Sequence, residues 1–228
     1  MRMLTITFNT KIDPWEIPKF RGALAEKVGY QHTWFHNHKQ SDTGEITGVI
    51  YRYPRIQYKM FGQFPMLVFI ENGIEEAQHF FNQDSWNLKI NNTEHLLEIN
   101  RLDVRKYNLG VYDQTFRYTI YKWLALNQEN HKKWGQLEGI VEKAAFLEDI
   151  LVGNILGFAA GVDWKLDARL SVKITEIKQM KEIKFKGVSM LAFDVQFSCN
   201  AYLPEFVGVG KGASRGFGVI RKQRKNGR

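Results

Sequence analysis

The chain has little of what cross-links or rigidifies a fold: one cysteine, Cys199, and five prolines among 228 residues. A single thiol cannot close an intramolecular disulfide or furnish a cysteine-rich zinc site. Its neighbours, Val195-Gln196-Phe197-Ser198, place it in a buried strand rather than in the setting of a nucleophile. No run of roughly 18 consecutive apolar residues occurs, which argues against a membrane span. The opening residues, MRMLTITFNTK, lack the apolar core of a signal peptide and read as a strand, so a cytoplasmic protein is the simplest expectation. The phosphate-binding pattern G-x-x-x-x-G-K-[ST] is absent, which removes the common route to nucleotide hydrolysis.

What is present is ordinary in bulk and unusual in charge. Hydrophobic residues make up 44% and charged residues 25%, the balance of a soluble globular protein. The length allows one large domain or two small ones, with enough chain to bury a core. Lys and Arg total 32 against 24 Asp and Glu, a net charge of +8. Arg221, Lys222, Arg224, Lys225 and Arg228 crowd the end of the sequence. Such a cluster is either a solvated tail or the footprint of a polyanion. An aromatic content of 14% favours the polyanion, because unpaired bases stack on rings.

Residues 2–10 alternate as a strand. Asp13 offers a helix N-cap with Pro14 at the first helical position. Ile17, Phe20, Leu24 and Val28 then fall on one helical face, and Gly29 ends the helix. Residues 30–45 read as a polar loop. Strands are expected over 46–53, 55–60 and 65–71, a short helix over 73–83, and strands over 86–91 and 94–104 joined at Asn91-Asn92. This order predicts an α+β, ferredoxin-like domain over residues 1–108.

A second domain, 109–228, opens with a strand over 114–122 and two helices over 127–134 and 136–157. Leu137, Ile140, Val141, Ala144, Leu151 and Ile155 form the apolar face expected of the longer helix. A hairpin is expected from 169–177 and 183–186. The stretch 188–199 alternates, with Leu191, Phe193, Val195, Phe197 and Cys199 on one face. A glycine-rich loop, 208–218, precedes a short last strand and the basic tail. The two halves repeat a similar order of elements, except that the second lacks an obvious second helix.

Three of the six histidines, His32, His36 and His38, lie within HTWFHNH. His36 and His38 are two apart, so an extended backbone would turn both rings to one side. Such a pair suits RNA cleavage by internal attack. The 2′-hydroxyl loses a proton as it attacks phosphorus, and the departing 5′-oxygen gains one. Imidazole, titrating near ~6.5, can serve either step without a metal or cofactor. A cation near the phosphorus would stabilise the developing charge, and Lys39, Arg52 and Lys59 are the nearest in sequence, with Tyr51 as a hydrogen-bond donor. On spacing alone a solvated polar loop is the default reading. A metal site of three imidazoles, near Asp42 and Glu45, is a further alternative.

In GVGKGASRGFG, the residues Gly208, Gly210, Gly212, Gly216 and Gly218 permit close backbone approach to a phosphate. Lys211 and Arg215 add charge, and Ser214 adds a hydroxyl. A flexible turn between two strands is the plain alternative.

The run Gly208-Val209-Gly210, Ser214, then Gly216-Phe217-Gly218 before an apolar strand resembles the glycine-rich signature of the CRISPR repeat-processing endoribonucleases of the RAMP superfamily. The helix segment Phe20-Arg21-Gly22-Ala23-Leu24, the histidines after it, and Tyr53-Pro54-Arg55-Ile56-Gln57-Tyr58-Lys59 are similar to the same family. The resemblance implies two tandem ferredoxin-like (RRM-like) domains and CRISPR repeat RNA as substrate. It implies cleavage without metal, leaving a 2′,3′-cyclic phosphate and a 5′-hydroxyl. His36 and His38 would inherit the catalytic role, and 208–218 would contact RNA or support the domain interface. The assemblies it implies are a homodimer or, for a non-catalytic relative, a place in a CRISPR effector complex.

Overall fold

A computed structural model describes residues 1–40 and 46–223. Asp42, Glu45, Arg224, Lys225 and Arg228, and the side chain of Lys39, lie outside the described residues. The chain forms two compact units: Met1–Tyr107 together with Ser214–Gly216, and Asn108–Ala213 together with the residues from Phe217 onward.

The first unit contains β1 (Arg2–Phe8), α1 (Ile17–Val28), β2 (His38–Gln40), β3 (Ile46–Val49), β4 (Ile56–Phe61), β5 (Phe64–Ile70), α2 (Ala77–Phe81), β6 (Asn87–Ile90), β7 (Thr93–Leu96) and β8 (Ile99–Lys106). Its main sheet runs in the order β4-β5-β1-β8, every neighbouring pair antiparallel. With α1 and α2 set between the strands in sequence, this is the ferredoxin-like arrangement. Alternation along β1 sends Leu4, Ile6 and Phe8 into one core with Ile17, Phe20 and Leu24 of α1. Phe8 meets Phe20 and Phe80 edge-on, at 6.1 and 5.8 Å between centroids.

The start of α1 differs from expectation. Asp13 heads a separate turn, its backbone N–H donating to the Glu16 carboxylate at 2.9 Å. The helix begins at Ile17, where Pro18 rather than Pro14 sits in the first turn and its missing N–H goes unneeded. Gly29 ends it with φ 104°, donating to the Ala25 carbonyl. The helix expected over 73–83 is a 3-10 turn, Glu71–Gly73, followed by the short α2. Asn91 and Asn92 both take positive φ, 49° and 65°, as a tight hairpin turn requires.

The second unit contains β9 (Val111–Trp123), α3 (Gln128–Gln136), α4 (Ile140–Gly161), β10 (Val172–Phe185), β11 (Val188–Ala201) and β12 (Val219–Lys222). Its sheet order is β10-β11-β9-β12. Counting the sheet strands within each unit, both sheets read second-third-first-fourth, so the fold is α+β with one strand order used twice. The expected hairpin of 169–177 with 183–186 is corrected: 172–185 is one strand, and its partner is β11. Register shifts at Ile174/Glu176 and Ile177/Gln179 break the alternation that would have shown a single strand. The turn falls at Lys186-Gly187, with φ 52° and 82°.

The buried stripe of α4 is Leu147, Leu151, Ile155, Phe158 and Ala159. Ile140 and Val141, expected on that face, are exposed, and Leu137 ends α3. Glu148 ties α4 to β10, accepting from the Ile174 N–H at 2.9 Å and pairing with Lys173 at 3.2 Å. By length and composition α4 could cross a membrane, although it carries charged residues and no unbroken apolar run. Phe193, Val195, Phe197 and Cys199 of β11 are buried, and burial pushes the Cys199 thiol up to about 11.

Candidate active site

The histidine loop is a chain of tight turns after Gly29. The His32 N–H donates to the Gly29 carbonyl, and the Phe35 N–H to the His32 carbonyl, both at 3.1 Å. The Asn37 N–H donates to the Thr33 carbonyl at 2.7 Å. Phe35 is buried and packs edge-on against Phe69. The Tyr58 hydroxyl donates to the Phe35 carbonyl at 3.0 Å, and the Arg21 guanidinium donates to the His36 carbonyl. Two core side chains therefore grip consecutive carbonyls just before His38.

Arg52 holds the outer side. Its guanidinium lies 3.8 Å from the Trp34 ring centroid and donates to Asn37 Oδ1 at 3.1 Å and Thr33 Oγ1 at 3.4 Å. Burial, first, lowers its affinity for the proton, while the charge of Glu76 opposes this.

His36 and His38 are brought together, with ring centroids 5.6 Å apart and planes at 39°. The route is not the extended backbone expected: Asn37 between them has φ 56°. Asparagine tolerates that left-handed turn, and the geometry lets the His38 N–H donate to His36 Nδ1 at 3.2 Å. His36 Nε2 lies 2.7 Å from the Tyr30 carbonyl, so it carries the hydrogen. Both ring nitrogens of His36 are thus engaged, and the residue is 5% exposed. Its proton affinity is lowered, first by burial and further by Arg21 and Arg52, while the Tyr30 bond works the other way. His36 is thus an imidazole with both nitrogens bonded and a weakened hold on a second proton. His38 is partly exposed at the start of β2, and its main chain pairs with Val49.

The supporting residues scatter. Tyr51 is 95% exposed beyond β3, and Arg52 braces the loop as described. Lys59 follows Tyr58 on β4, so alternation turns it to the opposite sheet face from the one gripping the loop. It is fully buried, and desolvation lowers it from 10.5 to about 7. Lys39 pairs through its backbone with Gly48. His32 does not join the other two histidines: its ring stacks on His79 at 3.6 Å, with planes 30° apart. The three-imidazole metal site is therefore not assembled.

The glycine-rich loop is knit into structure rather than left as a flexible turn. Gly208 bridges to Val219 and Lys211 to Leu124. Gly210, Gly212, Gly216 and Gly218 take φ of 75°, 76°, 82° and 60°. At Gly218 a methyl group would overlap the Val209 carbonyl oxygen, so only glycine fits. Ser214 and Arg215 lie on a 3-10 turn, Ala213–Arg215. Arg215 clusters with the first unit, close enough for its charge to add to the burial that lowers Arg21. Lys211 faces the Phe185 ring at 6.0 Å.

The sequence alone assigned no site role to Arg21, Tyr30, Tyr58, Trp34, Glu76 or His79. The Arg21 signal was available in principle: a charged residue beside Phe20 on the apolar side of α1, 9% exposed, is kept only where its charge has work to do.

Two antiparallel sheets of one strand order, matched by family models and by solved structures, place the chain among the RAMP-type, CRISPR repeat-processing proteins. Family models for the Cas6b N-terminal domain and the Cas6b C-terminal domain match residues 1–108 and 110–223. The chain belongs to the Cas6b family. A crystal structure of Cas6b superposes with a TM-score of 0.84 at 26% identity, covering 98% of this chain and 100% of that one. A second, described as the CRISPR RNA processing endoribonuclease Cas6b, shares the fold with a TM-score of 0.68 at 24% identity, covering 98% and 100%. A protein of Methanocaldococcus jannaschii, named without a function, is 31% identical over 118 residues, or 51% of this chain and 79% of that one.

Proposed function

We propose that this protein cuts CRISPR precursor RNA within its repeats by metal-independent attack of the 2′-hydroxyl on the adjacent phosphorus. The P–O5′ bond breaks, the 2′ proton passes to a base, and the leaving 5′-oxygen takes a proton from an acid. Membership of the Cas6b family and the structural likeness to a CRISPR RNA processing endoribonuclease support the substrate class. The observation that carries the mechanism is the histidine pair, 5.6 Å apart on a loop clamped by Arg21, Tyr58 and Arg52.

The two histidines have unequal parts. His38, the partly exposed ring, carries one of the two proton transfers, and solvent water carries the other. His36 positions it, since its Nδ1 accepts the His38 N–H and its carbonyl is held by Arg21. A direct role for His36 requires its bond to Tyr30 or to His38 to open when RNA binds. His36→Asn, whose Oδ1 can accept the His38 N–H, is expected to keep more activity than His36→Ala.

The test is synthetic repeat RNA incubated with the protein in EDTA, followed by analysis of the new ends. Cyclic phosphate and 5′-hydroxyl ends are expected. Ends bearing a 3′-hydroxyl and 5′-phosphate contradict the mechanism. A second reading, a non-catalytic RNA-binding subunit of an effector complex, is favoured by the full engagement of His36. Tight binding of the organism's own repeat with no cleavage would establish it instead.

A further inference from the structure

His32, Glu76 and His79 form a cluster that the cleavage chemistry does not use. Their candidate donor atoms all lie within 4.8 Å of one another, and all three residues are half-buried. His32 comes from the histidine loop. Glu76 is the residue before α2, and His79 lies one helical turn further on. The i,i+3 spacing puts these two on one face, with His79 Nε2 4.0 Å from Glu76 Oε2. Glu-x-x-His on a helix, completed by a second imidazole, is a donor set that suits borderline divalent ions.

We infer that His32, Glu76 and His79 bind a divalent transition-metal ion, with zinc the best match, and that the ion pins the histidine loop to α2. Two nitrogens and one carboxylate oxygen supply three ligands, and water fills the fourth position. Tetrahedral zinc needs neighbouring donors about 3.4 Å apart, so the side chains must close by roughly 1 Å through rotamer adjustment. The stacked rings must also tilt, because stacked imidazoles point their in-plane lone pairs side by side. Binding therefore replaces the His32–His79 stack with two metal bonds.

The charges nearby moderate this. Arg52 feels Glu76 and competes with the ion for its carboxylate, but the guanidinium is already occupied by Trp34, Asn37 and Thr33. Arg55 adds a second positive charge facing Arg52. These cations weaken the affinity relative to that of closed structural sites. The metal is structural, so the reading is separate from the cleavage mechanism, and its readout is binding rather than cutting.

The experiment is titration of the full chain, stripped with chelator and dialysed, with zinc by calorimetry and with cobalt(II) by visible absorption. One equivalent bound, with a tetrahedral cobalt spectrum and a raised unfolding temperature, is expected. His79→Ala and Glu76→Gln should each weaken binding by at least about 100-fold, as the loss of even an outer partner can. His38→Ala should leave the affinity within about 2-fold, since that residue is no ligand. His79→Gln, which keeps size and polarity, guards against a variant that fails to fold. Binding absent at millimolar zinc overturns the assignment, leaving a stacked histidine pair beside an ion-paired glutamate. Binding lost in His38→Ala but kept in His79→Ala also overturns it, in favour of an ion held within the loop.

Discussion

The two units use one strand order for different ends. In the first, the segment between the third and fourth sheet strands includes α2, which brings Glu76 and His79 against the histidine loop. In the second, the corresponding segment holds no α-helix, and glycines in left-handed conformations carry the chain back to β12. The first unit thus places titratable side chains on a braced loop, and the second places backbone. The lesson is that a repeated sheet constrains where a loop emerges, while local residues decide whether it offers side-chain chemistry or close main-chain approach.

The comparison breaks most sharply at His38. His38→Ala is expected to slow repeat cleavage by about 10²–10⁴-fold, the range for one acid–base group, with RNA affinity unchanged by gel shift. Equal loss of binding would make the residue a contact instead. The counterpart in the second unit is Gly218→Ala, which forces a methyl onto the Val209 carbonyl at φ 60°. It should destabilise the protein by about 2–4 kcal/mol in urea unfolding, against the backbone strain alone of about 1 kcal/mol at Gly62, where φ is 64° but no atom lies near the added methyl.

Lys59 gives the next effect. Its amine falls from 10.5 in the unfolded chain to about 7 in the folded one. Between those values the unfolded chain binds the additional proton, so stability rises as pH climbs from about 7 towards 10.5, and the full penalty is present below about 7. Lys59→Met should flatten that rise in urea midpoints measured across the window and stabilise the neutral-pH protein by about 1–3 kcal/mol. A rise that survives the substitution would assign it to other groups. The smallest effect is Arg52→Gln, which removes the Trp34 stack and should loosen residues 31–38 by about 1 kcal/mol in hydrogen exchange while leaving β9–β12 unchanged.

Much of the frame was legible because it is local. The alternation of Leu4, Ile6 and Phe8, the Ile17-Phe20-Leu24-Val28 stripe, the Gly29 stop and the Asn91-Asn92 turn each depend on neighbours in sequence. The continuous β10 was hidden by two register shifts and by the polar run Lys178–Glu182, exposed along almost its whole length. At the candidate site, the pairing of His36 with His38 could be read from spacing. The engagement of His36 could not, since it depends on the Tyr30 carbonyl, on Arg21 from α1 and on a left-handed Asn37. Nor could His32 be separated from the other two, because its partner His79 lies 47 positions away by number, on a different element. Lys59 reads as a surface cation in a polar stretch, and only the sheet reveals it as buried.

The central claim is that ribose supplies its own nucleophile. A repeat RNA carrying a single 2′-deoxy nucleotide on the 5′ side of the scissile phosphate tests it directly. The account expects that substrate to bind as the all-ribose RNA does and to stay intact through times that consume the control. Cleavage of the deoxy substrate at the same phosphate would contradict it.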